Sequence, residues 1–511
     1  MRGLLLLAGM FLAACQAVGS LTPPPTFTAQ APSTLTPTIV EPTATTGPTS
    51  TPQLIPGGEY TVRLHPDGPL FIGDRVSIEV ISPGEDELQE KNVQIRIEGP
   101  VSADLGSSAF TEFGIGGRVQ ATFNWVWDTS NLEPGEHQIQ FAVQPEGPEW
   151  VETVYLHPAK DVPSPEPVAK WEKVQLDCCK VHYITGTDFA HDLPDLMEII
   201  QRQADDSVQR MGVEFEQRVI ITILPRVLGH GGFAGNEIYI SYTDDNYAGN
   251  DLSQVLHHEM IHILDRQSGG ELRPSLFVEG LAVYLSDGHF KQEPILARVS
   301  ALYDLDQYLP LRELADSFYT SQHEIGYLEG AALVQFMVNR YGWQAFDDFY
   351  RDIYPHPSEK QSLAIDQALQ KHFDLTFEQL ESNFVNEIQK QKINPDMSED
   401  VILSVTYYDA VRRYQRLLDP SAYFLTAWLP DGEQMRQRGI VADYLRRPSS
   451  PENQMIEELL VDIDQQIRQG NYGEAAKELW LVENKLNQVE VEVLIGAALP
   501  GGVQQQIRFF D

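Results

Sequence analysis

Between residues 57 and 160, apolar and polar residues alternate in short stretches that end at glycine or proline. The clearest of these stretches are DRVSIEVIS (74–82), NVQIRIEGP (92–100), QATFNWVWDT (120–129) and GEHQIQFAV (135–143). Alternation with a period of two is typical of β-strands that bury one face. Several such strands over roughly 100 residues predict an all-β sandwich for this part of the chain.

A mixed pattern of strands and helices begins after a proline-rich joint at residues 158–170. An amphipathic stretch at 192–212 predicts a helix between the first two of three strand-like stretches. These strand-like stretches are KVHYITG (180–186), RVIITILP (218–225) and NEIYISY (236–242). A further helical stretch at 362–389 closes the region, so we predict one α+β domain over residues 171–392.

The remainder of the chain, residues 398–511, has helical spacing of its apolar residues and is predicted to form a separate all-α block. Within it, residues 455–486 resemble one helical hairpin of the tetratricopeptide type, turning at Gly470. A single hairpin is not an array, so the pattern does not predict a peptide-binding solenoid.

The predicted sandwich contains one stretch with a resemblance to a known module. WDTSNLEPGEHQIQFAV (127–143) is similar to the late strands of bacterial Ig-like modules. The resemblance implies an Ig-like sandwich over residues 57–160. Because this region contains no catalytic cluster, we expect it to be a spacer or a weak binding module.

The first fifteen residues, MRGLLLLAGMFLAAC, combine a positive charge at Arg2 with a short apolar run and small residues. This layout is typical of a secretory signal peptide, because a membrane span needs about 20 apolar residues. The ending LAAC resembles the lipobox of bacterial lipoproteins, which implies that Cys15 is lipidated and becomes the mature N-terminus. The alternative is an ordinary cleaved signal with an incidental cysteine.

Residues 16–56 are dominated by threonine, proline, serine and alanine. Such a stretch cannot bury a core and predicts an extended, semi-rigid linker. With a lipid on Cys15, this linker would hold the folded part away from the bacterial cell membrane. We therefore expect an extracytoplasmic, lipid-anchored protein.

The formal net charge is −38, from 36 lysines and arginines against 74 aspartates and glutamates. Nucleic-acid binding is excluded as the main activity, because no excess of cations is available to neutralise phosphates. Polybasic adhesion to an anionic membrane surface is disfavoured for the same reason.

The chain has only three cysteines, so it is not a disulfide scaffold. Cys178 and Cys179 are neighbours, and adjacent Cα atoms are about 3.8 Å apart, below the usual range of about 4.4–6.8 Å for a disulfide. We therefore expect both to be buried, unbridged apolar residues.

The stretch QVLHHEMIHILDRQ (254–267) predicts a helix that carries three histidines. Asp251 is a suitable N-cap, and the helix has no proline or glycine before SGG ends it. His258 and His262 are four residues apart and lie on one helix face, so both imidazoles can reach one metal ion. Glu259 lies beside this pair, whereas His257 is out of register and is interpreted as a neighbour.

A metal site of this kind needs a third protein ligand. SLFVEGLAVYLSDG (275–288) predicts a second helix, and Glu279 lies near its start. If the two helices fold back on each other, Glu279 can join His258 and His262 and leave one position open for water. The interpretation without metal is an amphipathic helix with surface histidines.

HEMIH followed by FVEGLAVYL resembles the gluzincin metallopeptidases, especially the peptidase MA-like family. The resemblance covers roughly residues 170–390 and implies a zincin-like domain. It implies that His258, His262 and Glu279 bind Zn²⁺ and that Glu259 is the general base.

GYLEGAALVQFMVNRYG (326–342) resembles the gluzincin helix that carries an oxyanion-stabilising tyrosine, which implies this role for Tyr327. The alternatives are a tyrosine that only packs on the core and a hydrogen bond from His323, as a downstream histidine donates in thermolysin-like enzymes.

Two features depart from the related patterns. Thermolysin-like enzymes orient a histidine ligand with an aspartate at a position that is Val283 here, so Asp265 and Asp287 are the candidates for that role. The aminopeptidase substrate motif is only loosely matched by GGFAGN (231–236). The glycine-rich stretch from Gly231 to Ile240 would pair with an extended substrate at a sheet edge.

We therefore expect zinc-dependent hydrolysis of peptide bonds by a lipid-anchored metallopeptidase, with a peptide or protein as substrate. The rival hypothesis is a non-catalytic surface lipoprotein that uses the zincin fold as a scaffold. The intact base Glu259 favours the enzyme.

The lipid anchor can be tested by replacing Cys15 with serine. Because the thiol carries the lipid, the Cys15→Ser variant should be released from the membrane or keep its signal peptide. Metabolic labelling with a fatty-acid analogue, followed by membrane fractionation, measures both effects against the wild type. Label on the variant would show that the lipid is attached elsewhere.

Overall fold

The computed structural model describes residues 60–83, 90–98, 102–113, 118–229, 231–249, 251–422 and 431–498. Cys15 and the predicted signal peptide and linker lie outside the described residues. Three regions follow one another within one compact unit: a β-rich region, a mixed region and an all-helical region. Within the described ranges, no helix is long and apolar enough to cross a membrane.

The N-terminal region consists of two sheets. One has the strand order β1-β3-β7-β6 and the other β2-β9-β8-β4-β5. The strands are β1 Thr61–His65, β2 Leu70–Phe71, β3 Arg75–Ile81, β4 Asn92–Glu98, β5 Ala103–Ala109, β6 Thr111–Phe113, β7 Arg118–Asp128, β8 Gly135–Gln144 and β9 Glu149–His157. The β-rich prediction for this region is confirmed, and its Ig-like type stays a prediction.

Strand β4 illustrates how alternation builds this region. Val93, Ile95 and Ile97 are buried, whereas Arg96 and Glu98 between and after them are exposed. The three buried residues join one hydrophobic core with apolar residues of β3 in the other sheet. Successive side chains point to opposite faces of a strand, so the period of two places one row in this core.

The mixed region contains a five-stranded sheet with the order β10-β11-β12-β14-β13. Its strands are β10 Trp171–Gln175, β11 Cys179–Ile184, β12 Val219–Leu224, β13 Gly232–Ala234 and β14 Ile238–Ser241. The three inner strands are parallel, and β10 and β13 run antiparallel at the two edges. The three predicted strands of this region correspond to the inner strands.

Among the residues that the structure describes, ten α-helices complete the mixed region. Helices α2 and α3 pack on the sheet, and α3 also contributes to a second, helical core formed with α4 to α10. The helices are α1 Asp188–His191, α2 Leu193–Met211, α3 Leu252–Gln267, α4 Ser275–Leu285, α5 Ile295–Asp304, α6 Leu311–Ser317, α7 His323–Tyr341, α8 Trp343–Arg351, α9 Gln361–Phe373 and α10 Phe377–Ile388.

Helices α4 and α7 touch through their backbones. A Cβ atom added to Gly280 would lie 2.4 Å from the carbonyl oxygen of Gly330, and one added to Gly330 would lie 2.8 Å from that of Leu276. Only glycine permits this approach at both positions. The contact brings the start of α4 next to the first turns of α7.

The C-terminal region is helical, as predicted. Its helices are α11 Pro395–Leu418, α12 Gly432–Arg438, α13 Ala442–Leu445, α14 Pro451–Gln469 and α15 Tyr472–Ala498. The predicted hairpin is present: α14 and α15 pack on each other in one core, and Gly470 ends α14 with a left-handed φ of 76°. Glycine is the residue that adopts this conformation most readily.

The C-terminal helices share a hydrophobic core with the mixed region. Val227 and Phe290 of the mixed region are buried in the same cluster as Tyr407 of α11 and Leu460 of α14. On the other side of α11, Val401 belongs to the helical core of the mixed region. Helix α11 is therefore packed between the two cores.

Arg446, buried in the C-terminal region, joins that region to the β-rich region and to the proline-rich joint. Its guanidinium donates to Asp74 of the β-rich region, at 2.7 and 2.8 Å, and to Glu166 of the proline-rich joint, at 2.7 and 2.5 Å. Nearby, the indole N–H of Trp125 donates to Asp443 at 2.9 Å. A charged side chain is tolerated in the protein interior only when an opposite charge pairs with it. Here two carboxylates pair with one guanidinium.

The expectation for the cysteine pair is wrong. Cys178 and Cys179 are joined by a disulfide, with Cα atoms 3.7 Å apart. Side chains alternate in a regular strand, but Cys178 lies in the bend between β10 and β11, where two neighbouring side chains can meet. The local bend, which residue spacing does not reveal, explains the difference.

Replacing Arg446 with leucine should destabilise the protein, because it leaves Asp74 and Glu166 buried without their cation. We expect the free energy of unfolding to fall by about 3–5 kcal/mol, the usual effect of breaking a buried ion pair. Urea unfolding followed by tryptophan fluorescence measures it. The control is Arg202→Leu, which removes an exposed ion pair with Glu198 and should cost under about 1 kcal/mol; equal losses would contradict the assignment.

Candidate active site

Helix α3 is oriented by its two apolar faces. Its predicted cap is present, since the Asp251 side chain accepts hydrogen bonds from the first-turn backbone. Leu256 and Met260 are buried against the sheet, and Ile261 and Leu264 are buried in the helical core. These contacts fix the rotation of the helix, so its remaining face is directed into a cavity.

His258, His262 and Glu279 converge at this cavity. The two Nε2 atoms are 3.0 Å apart, and they lie 3.3 and 3.2 Å from Oε2 of Glu279. All three side chains are largely buried. Within the described part of the chain, this is the group of histidine and acidic side chains that could hold a metal ion.

The three side chains strongly shift one another's pKa values. Burial alone would raise the pKa of Glu279, but the nearby histidines outweigh it and hold that pKa well below its ordinary value. Burial, followed by the charge of His262, lowers the pKa of His258 to about 4. The pKa of His262 is raised, because the charge of Glu279 outweighs the effect of burial. A metal cation binding here competes with the proton on His262.

Glu259 is the remaining acid in the cavity. Its side chain is buried, and Oε2 has no hydrogen-bond partner within the described part of the chain. Burial raises the pKa of Glu259 to about 8. A carboxyl group with a pKa near neutrality can both accept and donate a proton, which suits a general base.

Tyr327 and His323 lie one turn apart at the start of α7, and both line the same cavity. The Tyr327 ring is 6.1 Å from the His258 ring and 4.4 Å from the His323 ring. Burial raises the pKa of Tyr327 and lowers the pKa of His323, each well away from its ordinary value. Both side chains are therefore neutral hydrogen-bond donors beside the candidate metal ligands.

Two residues that contact the site were not predicted from the sequence. The hydroxyl of Tyr319 donates to Oε1 of Glu279 at 2.6 Å. The ring of His289 stacks on Tyr327 at 4.5 Å, and its Nδ1 lies 2.5 Å from Glu324. Neither residue belongs to a motif: Tyr319 lies in a short 3-10 helix before α7, and His289 lies in the loop after α4.

Neither aspartate proposed to orient a histidine ligand does so. Asp265 binds the guanidinium groups of Arg273 and Arg351, each at 2.7 Å. Asp287 pairs with Arg210 at 2.7 Å. Each carboxylate is satisfied by cations from other parts of the fold, so neither is turned toward a ligand.

His257 lies away from the ligand pair. Its Nδ1 is 3.1 Å from the amide oxygen of Gln203 on α2, which places the ring against the neighbouring helix. It is not a member of the group that could hold a metal. The interpretation of His257 as a neighbour agrees with this position.

The cavity has a volume of about 400 Å³ and lies between the sheet edge, α3, α4, α7 and α11. Its sheet wall includes Gly232, Phe233 and Ala234 of β13, the edge strand, whereas Ile238 to Ile240 lie in β14, one strand further in. The edge strand that lines the cavity is therefore shorter than the predicted Gly231–Ile240 stretch.

No known family profile matches the sequence, and no curated protein matches it. Among solved structures, the chain is similar to an aminopeptidase N family protein from Idiomarina loihiensis, at 12% identity and a TM-score of 0.29. The alignment covers 64% of this chain and 75% of that chain.

Tyr319→Phe tests whether the hydroxyl supports the metal ligand Glu279. Loss of this hydrogen bond should weaken metal affinity about 10- to 100-fold, as is usual for residues that orient a metal ligand. Competition between the protein and a chelator for Zn²⁺ measures the dissociation constant. Tyr354→Phe, at an exposed tyrosine, is the matched control, and equal affinities in both variants would contradict the role.

Proposed function

We propose that this protein is a zinc-dependent metallopeptidase that hydrolyses peptide bonds. The observation that carries the proposal is the convergence of His258, His262 and Glu279 beside Glu259, whose buried oxygen lacks a partner within the described residues. Burying an unpaired carboxylate oxygen costs free energy, so a binding scaffold would gain nothing from this residue. A general base needs that oxygen open to a water molecule.

The geometry of the three ligand atoms suits Zn²⁺. With metal–ligand bonds of about 2.0–2.2 Å, tetrahedral coordination separates the ligand atoms by about 3.3–3.5 Å. Two histidines and one glutamate form a donor set of catalytic zinc sites, which leave one position open. The separations of 3.0–3.3 Å between the Nε2 and Oε2 atoms fit this arrangement.

Bound Zn²⁺ would supply Lewis-acid polarisation of a carbonyl group and of a water molecule. Glu259 takes a proton from the water as it attacks the peptide carbonyl, and then gives a proton to the leaving amine. Tyr327 or His323 donates a hydrogen bond to the developing oxyanion. The mixed sheet with an antiparallel edge strand beside the HEMIH helix supports the zincin-like interpretation of this region.

We also propose that the enzyme is lipid-anchored and extracytoplasmic. The support is the LAAC ending at Cys15 and the Thr/Pro-rich stretch that follows it. A tethered peptidase would act on peptide or protein substrates outside the cytoplasm.

Two variants separate metal binding from catalysis. Glu259→Gln should keep Zn²⁺ and lose about 10²- to 10⁴-fold in hydrolysis, because it removes the base alone. His262→Ala should lose both metal and hydrolysis, because it removes a ligand. Elemental analysis and digestion of casein measure the two properties, with His257→Gln as a neighbouring histidine control that keeps the metal.

If the Glu259→Gln variant hydrolysed casein as fast as the wild type, the result would contradict the peptidase function and favour the scaffold hypothesis. Equal zinc in His262→Ala and the wild type would contradict the metal site. Tyr327→Phe belongs in the same series: it should lower kcat with little change in KM, by less than Glu259→Gln, if the hydroxyl acts on the transition state.

A further inference from the structure

Helix α11 contributes one cation to the wall of the cavity. Arg412 lines it, and no other lysine or arginine does so among the described residues. Val405, Asp409 and Arg412 are four and three residues apart, so they lie on one face of α11. Arg412 therefore belongs to the face of the helix that meets the mixed region.

This face is tied to the start of α7. The side-chain amide of Gln322 donates to the carbonyl oxygen of Val405 at 3.3 Å and to Asp409 at 3.2 Å. The same side chain caps α7 by accepting from the backbone N–H of Ile325 at 2.7 Å. Because α7 begins at His323, the cap and the contacts with α11 place Arg412 beside the oxyanion-donor candidates.

The charge of Arg412 affects the pKa values of two side chains that line the cavity, His323 and Tyr327. Burial lowers the pKa of His323, and the nearby ring of His289 and the guanidinium of Arg412 lower it further. Burial raises the pKa of Tyr327, and Arg412 opposes that rise. The guanidinium thus lies close enough to act on groups that would contact the substrate.

The other charged residues that line the cavity indicate which group of the substrate Arg412 can bind. The acids that line the cavity are Glu259 and Glu279, and both have roles in catalysis or metal binding. Within the described lining, no further carboxylate remains to hold the ammonium group of a peptide N-terminus. The net charge of −38 repels anions from the protein as a whole, so an anionic group is held only where a local cation receives it.

We infer that Arg412 is a specificity-determining residue that binds a carboxylate of the peptide substrate near the scissile bond. The inference rests on the proposed peptidase function and narrows its substrate class to peptides with a free C-terminus or an acidic side chain at that distance. A guanidinium donates two parallel hydrogen bonds to a carboxylate, which gives both affinity and orientation.

The test uses the metal-loaded full-length protein and mixtures of acetylated peptides. Each mixture is prepared as free acids and as C-terminal amides, and with Glu or Gln at each position, and cleavage is followed by mass spectrometry. Preference for the free acid identifies the C-terminus as the source of the carboxylate, and preference for Glu over Gln identifies a side chain.

Arg412→Gln should lower kcat/KM for the preferred carboxylate peptides about 10- to 100-fold, the range of one charged hydrogen bond, and leave their neutral counterparts nearly unchanged. Arg412→Lys should recover part of the preference, because it keeps the charge. The matched control is Arg416→Gln, an exposed arginine one turn later on α11 that does not line the cavity.

Binding provides a readout apart from turnover. In the Glu259→Gln background, adding Arg412→Gln should weaken binding of the carboxylate peptide but not of its amide or Gln counterpart. An equal loss for all peptides, or none, would overturn the substrate class while leaving the peptidase intact. Absence of hydrolysis by the wild type would overturn the proposed function itself, and the inference with it.

Discussion

The direct contact between the backbones of α4 and α7 is the constraint on which the candidate site depends. Gly280 immediately follows the candidate ligand Glu279, and Gly330 lies one turn after Tyr327. The separation of these two helices therefore sets the distance from the candidate metal ligand Glu279 to the oxyanion-donor candidate Tyr327. A displacement of about 1 Å in a reacting site can lower the rate about 10²-fold. The two glycines therefore determine how accurately the groups of the site are placed.

Paired buried charges extend this constraint beyond the cavity. His289 lies between the ring of Tyr327 and the carboxylate of Glu324. Glu324 is 3.7 Å from Arg298, which donates to Asp400 of α11 at 2.5 Å. Because a buried charge without a partner is costly, each member of this chain holds the next in place. The side of the cavity that contains Tyr327 is thus supported by contacts with the C-terminal region.

The parts of the site that follow from local geometry could be predicted from the sequence. The i, i+4 spacing of His258 and His262 and the alternation in β4 each determine which face a side chain occupies. Arg412 and Tyr319 were missed because their roles arise from packing between distant segments, which leaves no periodic signal. The disulfide between neighbouring cysteines was missed because it depends on a bend rather than on spacing.

The core shared by Phe290, Val227 and the C-terminal helices has a consequence for the timing of synthesis. The wall that contains Arg412 is held by α14 and α15, which come much later in the chain than the HEMIH motif. A nascent chain emerges N-terminus first, so the HEMIH motif is made before the helices that complete its cavity. The cavity is therefore complete only after these later helices have been made and have packed against the mixed region.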